Sequence, residues 1–209
     1  MSSPAHQPAR RNNSSLSATF FGNPVVETLV AMTVVTFLTW VSFFTGLGGL
    51  FVLAQPLLNP PWALVTSVYA HAGVGHLISN AIIVVLAGSL VAWSTTRLRF
   101  HAFFVTTGAL AGVAEVLISG LLGQPTAVLG ASGAAFALVG YVLAANPAST
   151  VLFDRLNLPP RVLVVLVAAA GLVLTFLFSA PGSALIAHLM GAMLGLVAGR
   201  MRLLRVPKR

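Results

Sequence analysis

The sequence predicts an all-α polytopic membrane protein, a bundle of six transmembrane helices with both termini in the cytoplasm. Three observations carry this: the scarcity of charge, the length of the uncharged stretches, and the placement of the basic residues. Charged side chains make up 7% of the 209 residues and hydrophobic ones 57%, whereas a water-soluble domain carries about a quarter charged residues. No Lys, Arg, Asp or Glu occurs from Thr28 to Thr96 or from Val162 to Gly199. Each stretch is long enough for more than one crossing at about 20 residues per helix.

Gly, Pro and Ser punctuation divides the chain into apolar segments over roughly 25–46, 74–95, 101–120, 130–146, 161–179 and 183–199. Arg10 and Arg11 precede the first segment, and Arg97 and Arg99 join the second to the third. Arg155 and Arg161 join the fourth to the fifth, and Arg200, Arg202, Arg205, Lys208 and Arg209 follow the sixth. The other three connections lack Lys and Arg. All basic residues therefore fall on one side of a six-crossing chain, which the positive-inside rule assigns to the cytoplasm. This partition also accounts for the net charge of +8 without nucleic acid as a partner.

The expected organisation is a disordered cytoplasmic tail over 1–24, a membrane domain over 25–200 and a basic cytoplasmic tail over 201–209. The first nineteen residues are polar and lack the apolar core of a cleavable signal peptide. An organellar transit peptide would share their Arg-containing, acid-free composition. Cysteine is absent, which excludes disulfides and thiolate chemistry. The long connection over 47–73 contains Pro56, Pro60 and Pro61 beside Leu50, Phe51, Leu57, Leu58 and Trp62. It is expected to lie in the outer interface with Trp62 as an anchor.

Polar side chains inside apolar segments are costly, and each marks a functional group unless a structural partner accounts for it. His71, His76 and Asn80 stand near the start of segment two, Glu115 in segment three, Ser132 at the start of segment four and His188 near the start of segment six. Segments two, four and six run in the same direction, so their first turns share one depth below the outer surface. His188, about five residues into its segment, is expected roughly 8 Å deep.

His76 and Asn80, four residues apart, share a helix face and suit two donors to one developing oxyanion. Alternatively, with His71, they tie the outer loop to the helix. Ser132 lies between Gly130-Ala131 and Gly133 at a helix start, where backbone approaches closely and negative charge is stabilised; packing alone also accounts for such a serine. His188, Gly191, Gly195 and Gly199 recur at helical spacing, forming a groove that brings a facing helix within reach of the imidazole. No carboxylate sits at matching depth on the same helices, and the histidines lack metalloprotease spacing, so neither metal nor cofactor is expected. Glu115 is read as a protonated or hydrogen-bonded side chain rather than a direct catalytic group, and its replacement by Gln is then expected to preserve most activity.

These residues resemble the rhomboid intramembrane serine proteases over about residues 25–199. The likeness comprises His71-x4-His76-x3-Asn80, Gly130-x-Ser132-Gly133 and Ala187-His188-x2-Gly191-x3-Gly195, in the family's order and on its second, fourth and sixth helices. It implies a rhomboid-like bundle with Ser132 as nucleophile and His188 as general base and then acid. It also implies an oxyanion site from His76, Asn80 and the Ser132 N–H, with His71 supporting. Phe136 matches an aromatic position that packs on the histidine. Family members often carry Trp-Arg in the first outer loop, where this chain has Trp62-Ala63.

The resemblance implies an endopeptidase of the lipid bilayer whose partners are transmembrane substrates, cut near the outer end of their helices. A non-proteolytic rhomboid-like binder of client helices, or a small transporter relaying protons through His and Glu115, are the competing classes. Arg-over-Lys usage and Ala, Val, Leu and Gly richness point to a prokaryotic plasma membrane; oligomeric state is not legible in the sequence.

Overall fold

The computed structural model describes residues 22–146, 159–178 and 183–206. Arg10, Arg11, Asp154, Arg155, Lys208, Arg209 and most of the expected tail over 1–24 lie outside the described residues. Among the described residues seven α-helices follow one another: α1 (Pro24–Phe44), α2 (Ala63–Thr66), α3 (Val74–Ala92), α4 (Arg97–Leu121), α5 (Ser132–Ala145), α6 (Pro160–Phe178) and α7 (Leu185–Arg200). Of these, α1, α3 and α4 are long and apolar enough to cross a membrane. At 14 and 16 residues, α5 and α7 are shorter than the roughly 20 residues of a full crossing.

The bundle is polar inside and apolar outside along α1. Val30, Val34, Phe37, Leu38 and Val41 are exposed, while Thr28, Thr36, Thr39 and Ser42 are buried. Hydrocarbon offers no hydrogen bonds, so these hydroxyls turn inward to backbone acceptors. Thr28 Oγ1 donates to the Pro24 carbonyl at 2.8 Å, Thr39 Oγ1 to Val35 at 2.7 Å and Ser42 Oγ to Thr39 at 2.7 Å. On α3, Ile78, Ile82, Val85, Leu86 and Leu90 form a second outward apolar stripe.

Local sequence sets the helix starts. Asn23 caps α1, its side chain accepting from the Val25 N–H at 2.9 Å, with Pro24 as first helical residue. Thr96 caps α4 by accepting from the Arg99 N–H at 3.4 Å. This draws Arg97 and Arg99 into the first turn of the helix, where the sequence reading had them in a connection. Arg97 and His101 both engage Glu27 of α1: Arg97 Nε and His101 Nε2 lie 2.7 and 2.8 Å from Glu27 Oε2. This clasp fixes the start of α1 to the start of α4.

α5 is the central helix, with residues 133–138, Gly140, Tyr141 and Ala144 all buried. It packs on α3, α4, α6 and α7. Its closest neighbour is α7, because small residues let the two backbones meet. A Cβ at Gly191 would collide with the Gly133 carbonyl oxygen, and one at Gly195 with that of Ala137. The glycine spacing read from the sequence is therefore the seam of the α5–α7 pair.

The long connection between α1 and α3 folds back over the bundle. It contains a 3-10 turn (Gly48–Phe51) and α2. Leu53 pairs with Val128 through two backbone hydrogen bonds of 2.9 and 2.8 Å. Trp62, half exposed, donates its indole N–H to the Leu50 carbonyl at 2.9 Å, so it staples the loop to itself. Ala63 is buried beside Leu53 and Val116. Apolar packing and the Leu53–Val128 pair thus hold this loop where the resemblance led one to look for an arginine.

Candidate active site

The segment before α5 is built to present Ser132. Gly130 adopts φ +134°, a conformation only glycine takes without strain, and its N–H donates to the Ser67 carbonyl at 2.8 Å. A side chain there would also meet the His76 ring, at 2.7 Å from Cε1 and 2.8 Å from Nε2. The bare Gly130 backbone therefore lets the imidazole of α3 lie against the approach to Ser132. Ser132 is the first residue of α5, and its N–H has no acceptor within the helix.

His71 holds this arrangement from the connection before α3. It is fully buried, and its Nε2 accepts the Ala131 N–H at 3.4 Å, which places the ring proton on Nδ1. That nitrogen lies 3.0 Å from both Thr36 Oγ1 and the Tyr69 carbonyl. Burial, reinforced by His76 nearby, pulls its pKa down to about 4, so the ring is neutral at pH 7. Trp40, one turn beyond Thr36 on α1, donates to the His71 carbonyl at 2.9 Å. His71 and His76 meet edge to face at 5.0 Å between ring centroids.

A cavity of about 760 Å³ opens beside Ser132, walled by His76 and Asn80 of α3, Glu115 of α4, Ser132 and Phe136 of α5, and His188 of α7. The extended residues 126–129 form a further side. Asn80 is buried and spends one amide hydrogen on the His76 carbonyl at 3.0 Å; its second hydrogen remains for the cavity. His188 is buried and stacks on Phe136, with ring centroids 4.3 Å apart and planes 10° from parallel. Gly133 packs against Gly191, and a Cβ on Gly133 would stand 3.7 Å from the Ala187 carbonyl. The residue after Ser132 thus lies against the turn that carries His188.

The structure gathers Ser132, His188, His76, Asn80 and Phe136 at one cavity, with Gly130, Gly133, Gly191 and Gly195 serving the close approaches and His71 outside its lining, bonded to the Ala131 N–H. His188 lies in the first turn of α7, which begins at Leu185, so it is nearer its helix end than the segment boundaries gave. Two residues, and one link between residues, escaped the sequence reading. Thr36 and Trp40 had a legible signal, a polar pair at i and i+4 on an apolar helix. The link from Glu115 to α7 had none, because Glu115 Oε2 accepts the backbone N–H of Ala187, at 2.9 Å.

Fold and site together define a helical membrane protein with a cavity into which a hydroxyl, two imidazoles, an amide and a carboxyl are gathered. The chain belongs to the rhomboid family: the family model described as the Rhomboid domain matches residues 59–205. No curated protein matches it.

Proposed function

We propose that this rhomboid-family membrane protein is an intramembrane serine endopeptidase that hydrolyses a peptide bond in or near the transmembrane segment of other membrane proteins. The single observation that carries this reading is the convergence of Ser132, His188, His76 and Asn80, from three helices, on one cavity.

His188 acts as general base and removes the Ser132 hydroxyl proton as Oγ attacks the substrate carbonyl. The developing oxyanion receives hydrogen bonds from the His76 ring, the Asn80 amide and the Ser132 N–H. The imidazolium then gives its proton to the departing amine; His188 next takes a proton from the water that attacks the acyl-enzyme and returns it to the departing Ser132 oxygen. Phe136 takes the orienting part that an acid plays in a triad, by holding the imidazole plane. The substrate helix must unwind first, since a helical carbonyl is hydrogen-bonded and shielded.

In this reading the chain crosses a prokaryotic plasma membrane six times, with both termini cytoplasmic and the cavity open to the outer face. A non-proteolytic binder of client helices leaves the convergence of a hydroxyl, an imidazole and two donors without a use. Co-expression with a single-span reporter tests the proposal. Wild type releases a fragment, and Ser132→Ala and His188→Ala do not; the same fragment from both variants would refute it.

A further inference from the structure

Glu115 is the one acidic side chain among the described residues that wall the cavity. It stands six residues before the end of α4 and is 8% exposed. Both carboxyl oxygens are engaged: Oε1 accepts from Ser119 Oγ at 3.1 Å and Oε2 from the Ala187 N–H at 2.9 Å. Ser119, one turn along α4, fixes the carboxyl rotamer, so that the other oxygen is aimed at α7.

Ala187 is the third residue of α7, and the residue at the cap position, Ala184, offers no side-chain acceptor. The first turn of any helix leaves N–H groups without partners. A Ser, Thr, Asn or Asp at the cap normally accepts from the second or third of them. The first hydrogen bond within α7 runs from the His188 N–H to the Ala184 carbonyl at 3.0 Å, so the Ala187 N–H must find its acceptor elsewhere. In surroundings this apolar an unpartnered N–H costs far more than in water.

We infer that Glu115 caps α7 from the neighbouring helix and thereby acts as a positioning residue for His188, the next residue after the capped N–H. The cap fixes the height and rotation of the first turn of α7, and with them the place of the imidazole in the cavity that Ser132 also lines. Phe136 restrains the plane of the ring, and Glu115 restrains the backbone that carries it. The part concerning His188 rests on the serine-protease reading; the cap itself does not.

The acceptor oxygen is what matters, so E115Q, which retains one, keeps activity within about threefold. E115L removes it and lowers kcat by roughly 10- to 100-fold, the range for a displaced catalytic group, with KM within about twofold. A cap supplied in cis by A184S offers an oxygen to the same N–H; the E115L/A184S double variant recovers most of the lost kcat. Amide hydrogen exchange on the full chain in detergent reads the cap without reference to activity. Residues 185–190 exchange faster in E115L than in wild type, and A184S slows them again.

Unchanged exchange over 185–190 in E115L overturns the cap. Faster exchange with full kcat, or lost kcat that A184S fails to restore while exchange recovers, overturns the positioning role. A wild-type chain that cleaves nothing and takes up no serine-reactive label refutes the protease reading and with it that role, while the exchange result still decides the cap.

Discussion

Phe136 and His188 lie face to face, their ring centroids 4.3 Å apart and their planes within 10°. The ring from α5 is one helical turn beyond Ser132, so a single helix supplies both the hydroxyl and the surface on which the imidazole rests. A stacked aromatic pair contributes about 0.5–1.5 kcal/mol beyond its buried area. Its larger effect is to restrict the imidazole to one plane.

Phe136→Leu keeps an apolar side chain but loses the flat surface and three carbon atoms. We predict a fall in kcat of roughly 10-fold, with a melting temperature lowered by only a few degrees, because the smaller side chain at this buried site costs about 1–2 kcal/mol. Steady-state cleavage of a reporter peptide beside a thermal melt in detergent separates the two effects.

The α5–α7 seam gives a second prediction. Any side chain at Gly191 meets the Gly133 backbone, which cannot move aside as a rotamer can. Gly191→Ala therefore forces the helices apart, at a cost of about 1–3 kcal/mol or more, and carries His188 away from Ser132. The expected result is a lowered melting temperature together with lost activity. Gly49, whose Cβ would meet nothing, serves as the control and tolerates alanine.

His71 and Asn80 should fail in different ways. His71→Ala takes the acceptor from the buried Ala131 N–H and one partner each from Thr36 and Tyr69, which keep a 3.3 Å bond to each other; a buried group left unsatisfied costs about 1–3 kcal/mol. Its signature is a loss of stability, measured by denaturation. Asn80→Ala leaves the fold in place and removes a donor from the cavity, so kcat falls by about 10² to 10³. Equal stability losses in both variants contradict this division.

Much of the site was legible because its logic is compositional. A hydroxyl, imidazoles and an amide are conspicuous in an apolar chain, and helical spacing alone assigns His76 and Asn80, or His188 and Gly191, to one face. Gly130 was legible as a small residue, but its positive φ was not. What escaped was held by backbone groups or by partners distant in sequence. Ala187 meets Glu115 across 72 residues, and Trp62 bonds a carbonyl rather than serving only as an interfacial anchor. Helix ends shifted for the same reason: Thr96 caps α4 early, and the start of α7 is met by a carboxylate that no local pattern announces.

The central claim is that Ser132 is a nucleophile activated by His188. Reaction of the purified, detergent-solubilised chain with a fluorescent fluorophosphonate tests it most directly, because the probe bonds only to an activated serine hydroxyl. The expected result is a single labelled site at Ser132 by mass spectrometry, absent in Ser132→Ala and strongly reduced in His188→Ala. Undiminished labelling in Ser132→Ala, or none in a folded wild-type protein, would contradict it.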